Sequence, residues 1–413
     1  MEALDALRKA CGDGAVRHPA ADSADSFDSV DGVAASYVAQ PATTEAVSEL
    51  LRASAEHDLA AVPRGAGTKL DWGSPPRRAD LLIDLSTMDK VVEHAAGDLV
   101  VRVQPGVRLA DLQQALAPAG QRLAVDEVVP GSTVGGVIAT GLSGPTRLLH
   151  GGVRDLLIGV TVVRADGTVT RSGGKVVKNV AGYDLGKLYT GSYGTLGVVT
   201  EAIFRLHPVP DERAYVSITA ATEEELQPRL SAILGSQLVP AAVEVERAAP
   251  DTAVTATVLL EGAGVQDRAA AATKLIGGSV SPDQPDGWAG YVTAPVVVRA
   301  TAEISGVSRL LADIRRGAQR HGVDASVRGS AGAGALYVNL AGDEPARAAA
   351  FVRDLRGAAA TQGGTAVVLR APAAVKAAVD VWGPVHGLEL MRRVKDQFDL
   401  DQRLSPGRFV GGI

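Results

Sequence analysis

The chain has 413 residues, of which 46% are hydrophobic, enough for two or three globular domains with substantial cores. Its net charge of −6, with Lys and Arg scattered along the chain, argues against a nucleic-acid partner. The only cysteine, Cys11, rules out an intrachain disulfide and an iron–sulfur cluster held by this chain alone. The seven histidines show no metal-ligand spacing. No apolar run approaches the roughly 20 residues of a bilayer-spanning helix. No basic run followed by an apolar core lies near the start, so the cytoplasm is the expected location, with any membrane association made through partners.

Residues 1–30 read as an extension with a short helix at Glu2–Ala10. Thr43 is placed to cap a helix carrying the apolar stripe Val47, Leu50, Leu51 and Ala55. A strand at Leu59–Val62 runs into the loop Pro63-Arg64-Gly65-Ala66-Gly67-Thr68-Lys69, and a second strand follows at Leu81–Leu85. This first lobe ends near Gly97. In the next lobe Val100–Val103 alternates as a strand, and Leu109, Leu112 and Leu116 mark a helix. Asp166-Gly167 turns a hairpin between Leu157–Arg164 and Val169–Ser172. Val198–Leu206 closes the lobe before Pro208 and Pro210.

Residues 211–370 differ in pattern. Strands are expected at Tyr215–Thr219, Ala241–Glu246, Ala253–Leu260, Val296–Thr301, Ala335–Asn339 and Thr365–Leu369. Helices are expected at Glu223–Leu234, Val307–His321 and Glu344–Thr361. This is an antiparallel sheet with helices on one face. A last helix, Leu388–Phe398, precedes Ser405-Pro406-Gly407-Arg408.

Three glycine-rich segments carry the functional signal. Gly65-x-Gly67 follows a strand, but Leu70 stands where a dinucleotide fingerprint needs its third glycine, and Gly73, Pro75 and Pro76 prevent a helix start. A phosphate there would be held by successive backbone N–H groups, with Thr68 adding a hydroxyl; alone, the loop is equally readable as a surface turn. Pro130-Gly131-Ser132-Thr133-Val134-Gly135-Gly136 runs on through Thr140 and offers bare backbone and hydroxyls. The stretch Lys175–Thr200 holds Gly182, Gly186, Gly191, Gly194 and Gly197 before a strand, which suits close approach to a large flat group. Lys178, Asn179, Tyr183 and Asp184 are its polar candidates, although Asn179 and Asp184 can equally cap turns. Together the three loops indicate a flavin-dinucleotide site.

These loops, in this order and spacing, resemble the FAD-binding fold of the vanillyl-alcohol oxidase/para-cresol methylhydroxylase (PCMH) type, and more closely the FAD-binding E subunits of glycolate oxidases. The resemblance runs from Asp31 to Pro210 through PRGAGTKLDWG at 63–73, GDLVVRVQPGVRLADLQQALAPAGQRLAVD at 97–126 and GGVRDLLIGVTVVRADG at 151–167. It resumes at Val381-Trp382-Gly383 and RRVKDQFDLDQRLSPGRF at 392–409. It implies an α+β fold: a two-lobed PCMH-type FAD-binding domain at 31–210 (lobes about 31–97 and 98–210), an α+β antiparallel-sheet domain at 211–370 for substrate or docking, and a C-terminal helical segment, 371–413, that returns to the FAD domain. It implies that Arg64, Gly65, Ala66, Gly67, Thr68 and Lys69 cradle the pyrophosphate. It further implies that Ser132, Thr133, Gly135, Gly136 and Thr140 line the flavin and that Val198 bonds the adenine-side edge.

Relatives that attach FAD covalently usually use a histidine or cysteine near these loops. The pyrophosphate loop has none and His150 reads as structural, so FAD is expected to be non-covalent. The resemblance also implies an oxidoreductase acting within a complex, with a second flavin subunit and an iron–sulfur subunit as partners and a small hydroxy acid as substrate.

Two departures stand out. Ser405-Pro406-Gly407 replaces the usual Asn-Pro-Gly turn. The His/Gly/Asp-rich metal and base motif of the subunits that oxidise D-2-hydroxy acids is missing from 211–413, where His321 and His386 stand alone and Tyr291 or Tyr337 would serve as a base only if strongly perturbed. The expected role is therefore flavin redox and electron transfer, with no catalytic residue or metal assigned. One alternative is a self-sufficient oxidase with Arg299 and Arg328 binding a carboxylate; another is a non-catalytic scaffold.

Overall fold

The computed structural model describes residues 2–19, 28–174 and 184–413. They divide into two compact units: Met1–Leu142, Gly152–Val209 and Pro384–Ile413 form the first, and Ser143–Gly151 with Pro210–Gly383 the second. The fold is α+β. The stretch Ser143–Gly151, inside the range expected for the FAD domain, groups with the second unit.

The first unit is built on two sheets. One has four strands in the order Val16–Arg17, Tyr37–Ala39, Leu81–Asp84, Ala61–Arg64, the last three parallel. The helix Thr44–Glu56 is the crossover from Tyr37–Ala39 to Ala61–Arg64, parallel strands on either side of Leu81–Asp84. That helix starts because the Thr43 hydroxyl accepts from Ala46 N at 3.1 Å, and it buries Val47, Leu50 and Leu51 against the sheet. The other sheet is antiparallel, in the order Val169–Gly173, Leu157–Val163, Val198–Arg205, Val100–Val103, Val91–Ala95. Against it pack Leu109, Leu112 and Leu116 of the helix Leu109–Leu116 and Val134, Val137 and Ile138 of a short helix, Val134–Thr140.

That short helix lies where the sequence reads as a glycine loop. Gly135 and Gly136 lower its intrinsic propensity, but the Thr133 hydroxyl accepts from Gly136 N at 3.3 Å and three apolar side chains are buried, and tertiary packing wins.

The tail closes the unit. Ala61 N donates to Arg403 O (2.8 Å) and Ser405 N donates to Ala61 O (2.9 Å), which sets Leu404 parallel beside the strand Ala61–Arg64. The tail is pinned by Lys395, which is 1% exposed and whose ammonium donates to Asp399 Oδ2 (2.6 Å), Thr195 O (2.7 Å) and Leu404 O (3.0 Å). Asp399 also accepts from the backbone N–H groups of Leu404 and Arg403.

The second unit is an eight-stranded antiparallel sheet, in the order Ser279–Ser281, Arg213–Ala220, Val254–Glu261, Ala242–Arg247, Ala325–Ser330, Ala335–Leu340, Val296–Thr301, Ala366–Arg370. One face packs on the helices Glu223–Leu234, Val265–Ile276, Val307–His321 and Pro345–Thr361 in a core that includes Val216, Val258, Leu310, Leu336 and Phe351. Three of these elements escape sequence reading, one of them the short edge strand Ser279–Ser281. The helix Val265–Ile276 buries Val265, Ala269, Ala272 and Ile276, so alanines blur its apolar stripe. The strand Ala325–Ser330 carries Arg328, Gly329 and Ser330, a composition closer to a turn.

Replacing Lys395 by Met leaves Asp399 buried with its charge uncompensated. Lys395→Met is expected to lower unfolding stability by about 3 kcal/mol or more, as for other broken buried pairs. The shift of the urea midpoint at unchanged slope measures it, and a midpoint equal to that of the parent would refute the role given to this ammonium.

Candidate functional site

Four segments of the first unit converge on one open cleft. They are the loop Pro63–Leu70, the start of the helix Val134–Thr140, the segment 189–199, and Arg408 from the tail.

The loop leaves the strand Ala61–Arg64 with Arg64 turned inward. Its guanidinium donates to Asp84 Oδ2 at 2.7 Å and lies 3.5 Å from Asp28 Oδ1. Arg17 grips Asp28 in turn with two bonds of 2.6 and 2.8 Å, and these bonds hold the Asp28 carboxyl below the usual range despite its burial. Burial pushes the Asp84 carboxyl up, but bonds from Arg64 and Ser86 outweigh it and the net shift is downward. Arg64 thus anchors the root of the loop, and its charge is committed to carboxylates.

The next residues come against the second segment. A Cβ on Gly65 would overlap the Thr133 hydroxyl, one on Gly135 would sit 2.7 Å from Pro105 Cβ, and one on Gly194 2.7 Å from Pro63 Cγ. Gly67 has φ +75°, a conformation that L side chains rarely adopt.

Lys69 differs from Arg64. It is 7% exposed, and among the described residues its ammonium donates only to neutral hydroxyls, Ser132 Oγ at 2.6 Å and Thr68 Oγ1 at 3.1 Å. Burial pushes its pKa down to about 8, against a weaker upward pull from Glu127. A buried cation beside a cleft without a carboxylate bonded to it suits an anionic ligand.

Arg64, Gly65, Ala66, Gly67, Thr68, Lys69, Thr133, Gly135, Gly136 and Thr140 all line the cleft. The Thr140 hydroxyl donates to Gly136 O at 2.8 Å, within its own helix. Ser132 stands behind Lys69 and donates to Val129 O at 2.6 Å. Val198 is buried in the core, and its neighbours Gly197 and Val199 reach the cleft instead. Asp184 is exposed beside Lys187, 3.1 Å away. Lys178, Asn179 and Tyr183 lie outside the described residues.

Sequence reasoning assigned no role to Leu85, Pro105, Tyr189, Tyr193 or Arg408, which also line the cleft. Arg408, 4% exposed, donates from Nη2 to Leu70 O and Trp72 O, each at 2.8 Å, and holds the far side of the glycine loop. Its position beside the Ser-Pro-Gly turn was the one available signal. Bare backbone and a cation at one end, with Leu85, Pro105, Tyr189 and Val199 as apolar wall, fit a phosphate-bearing ligand with a flat ring system.

Residues 35–173 match the family model of the FAD binding domain. This chain carries an FAD-binding domain, and FAD is the cofactor that its cleft fits. Among curated proteins the chain is similar to glycolate oxidase subunit GlcD of Bacillus subtilis, 38% identical over 213 residues, covering 50% of this chain and 44% of the relative. It is similar to glycolate oxidase subunit GlcE of Escherichia coli, 38% identical over 181 residues, covering 43% of this chain and 50% of the relative. The matched stretch thus spans about half the length of these relatives. Among solved structures, p-cresol methylhydroxylase with substrate bound has the same fold, with a TM-score of 0.77 at 18% identity over 98% of this chain and 96% of that chain. No helix among the described residues is long and apolar enough to cross a membrane.

Gly65→Val is expected to give a folded chain that binds little FAD, because the side chain would fill the space held by Thr133. Flavin-to-protein absorbance of the purified variant measures this, and full occupancy would overturn the loop's role. Lys69 supplies a pH test. Above about 8 the free chain has lost this proton, and an anion alongside favours its return, so FAD binding takes up a proton there. Affinity should be flat below that pH and fall above it, by up to about tenfold per pH unit. Lys69→Met should weaken binding about tenfold at pH 7 and abolish the slope. An unchanged slope in the variant, measured by flavin fluorescence titration, would remove Lys69 from the site.

Proposed function

We propose that this chain is the FAD-binding subunit of a complex that oxidises glycolate or a related small 2-hydroxy acid, and that it takes part in flavin redox and electron transfer. Its similarity to two different glycolate oxidase subunits at the same identity supports the substrate class and the assembly with other chains. Within the cleft, the backbone of Gly65, Ala66, Gly67 and Thr68 with the Lys69 ammonium would hold the diphosphate. Thr133, Gly135, Gly136 and Thr140 would lie along the flavin, and Gly197 and Val199, on either side of the buried Val198, would approach the adenine side. When bound, FAD supplies a two-electron acceptor that an alcohol carbon can reduce and a partner can reoxidise.

The observation that carries the subunit reading is the state of the second unit's candidate bases. Removing a proton from a hydroxyl needs a free base within hydrogen-bond reach. His321 is bonded to Asp354 at 2.8 Å in a surface cluster with Arg320. The Tyr291 hydroxyl donates to Glu244 at 2.5 Å. Burial pushes the Tyr337 phenol up, away from the range of a useful base. With these three held or perturbed, and His386 exposed on the closing segment of the first unit, the substrate proton would go to a group on a second flavin subunit, and electrons would leave through an iron–sulfur subunit.

Two measurements test this. Acid denaturation should release the flavin into the supernatant, since no cysteine or histidine borders the pyrophosphate loop; colour that stays with the precipitate would refute non-covalent binding. Mixed anaerobically with glycolate or D-lactate, the isolated holo-chain should bleach slowly or not at all. Rapid, complete bleaching would replace the subunit reading with a self-sufficient oxidase.

A further inference from the structure

The sheet of the second unit has two unlike faces. One is covered by helices; the other carries a polar row set by strand register. Across three neighbouring strands Arg328 stands opposite Tyr337, and Tyr337 opposite Arg299. Sequence alone gives Arg299 and Arg328 equal standing as carboxylate binders, and the side chains separate them. Arg328 is committed: it bonds the Glu246 carboxylate and Gly287 O. Arg299 has no carboxylate within ion-pair distance among the described residues and is half-buried.

A second arginine joins it from a distant part of the chain. The short helix Arg147–His150 packs on this unit's sheet, with Leu148 against Gly332 and His150 3.7 Å from Glu261. Arg147 also lacks a carboxylate partner among the described residues and is half-buried. The charges of both Arg299 and Arg147 act on the Tyr337 hydroxyl, each favouring its ionised form, yet burial dominates and the phenol stays a neutral donor. Tyr337 is rigid: 2% exposed and stacked on Tyr291 at 4.4 Å between ring centroids. Tyr291 is fixed in turn by its bond to Glu244 and by Asn339, which donates to Tyr291 O at 3.1 Å.

We propose that Arg147, Arg299 and the Tyr337 hydroxyl form a binding subsite for the carboxylate of a small organic acid. Charge selects the class. Arg328 and Glu246 cancel, and Glu244 offsets one of the two remaining cations, which leaves a net charge of one to be matched by a monoanion. Two planar guanidinium groups with a neutral hydroxyl donor match carboxylate oxygens, and such charge-assisted bonds are the strong ones. The site recognises its ligand without supplying a base, which is compatible with the subunit role but does not depend on it, because binding is read separately from flavin reduction.

Calorimetric titration of the purified full-length holo-chain with glycolate, acetate, ethylene glycol and inorganic phosphate is the test. Glycolate and acetate should bind saturably and ethylene glycol, the neutral counterpart of glycolate, should not. Arg299→Gln and Arg147→Gln, on separate elements, should each weaken glycolate about tenfold or more while flavin content and thermal midpoint stay at parental values. Arg328→Gln should change affinity less than about twofold. No heat with either acid in the parent chain, parental affinity in both arginine variants, or a loss confined to Arg328→Gln would overturn the subsite. Tighter binding of phosphate than of acetate would overturn the carboxylate assignment. A failure here with intact flavin content leaves the FAD reading standing, whereas loss of flavin without loss of glycolate binding strikes only the FAD reading.

Discussion

The first unit depends on one buried ammonium. Lys395 donates to the carbonyl of Thr195, to the carbonyl of Leu404 and to Asp399, and so joins the cleft's third segment, 189–199, to the tail that backs its first. Burial lowers the pKa of this lysine, with Asp399 pulling the other way, and a buried pair of this kind is a poor source of net stability. Its value is directional: three fixed acceptors around one cation define one arrangement of three chain segments. Beyond it the tail passes Ser405 at φ +45° and Gly407 at φ +89°, and Arg408 then reaches Leu70 O, 338 residues away in sequence. The glycine loop is therefore held from behind by a segment far from it in the chain.

Electrostatic labour in the cleft is divided between two cations five residues apart. Arg64 looks like the obvious phosphate ligand in a sequence, yet its guanidinium is locked to Asp84 and lies close to Asp28. That network makes the strand end rigid, which suits a loop whose contribution is backbone N–H groups. Among the described residues Lys69 bonds only hydroxyls, and no carboxylate is bonded to it. A bound anion would gain from the second cation and very little from the first.

Local chemistry was readable from sequence where it is decided locally. Thr43 and the stripe that follows it announce the helix Thr44–Glu56, and Asp166-Gly167 announces its hairpin, because a cap and a turn need only their own neighbours. The helix Val134–Thr140 was not readable, since two glycines argue against it and its stabilising burial comes from a sheet formed elsewhere. The same divide runs through the cleft. Its glycines mark where backbone must come close, so the loops were visible as loops. The commitment of Arg64 to Asp84, the return of Arg408, and the way Tyr189 and Leu85 form walls are long-range facts with no local signature. In the second unit, register alone places Arg328 and Arg299 on either side of Tyr337, and only side-chain partners distinguish a committed arginine from an available one.

The discontinuity of the first unit carries a consequence for biosynthesis. Its strand Ala61–Arg64 emerges early from the ribosome, but its neighbour at Leu404 and the Arg408 clamp on Leu70 and Trp72 are made only after the whole second unit has been translated. Domains generally fold as they emerge, N-terminal first. Here the second unit can mature while the first waits with an unpaired strand edge and an unclamped loop. Completion of the cleft thereby waits for the tail, and a ribosome stalled anywhere before it would leave a nascent chain with one finished unit and a half-built cleft.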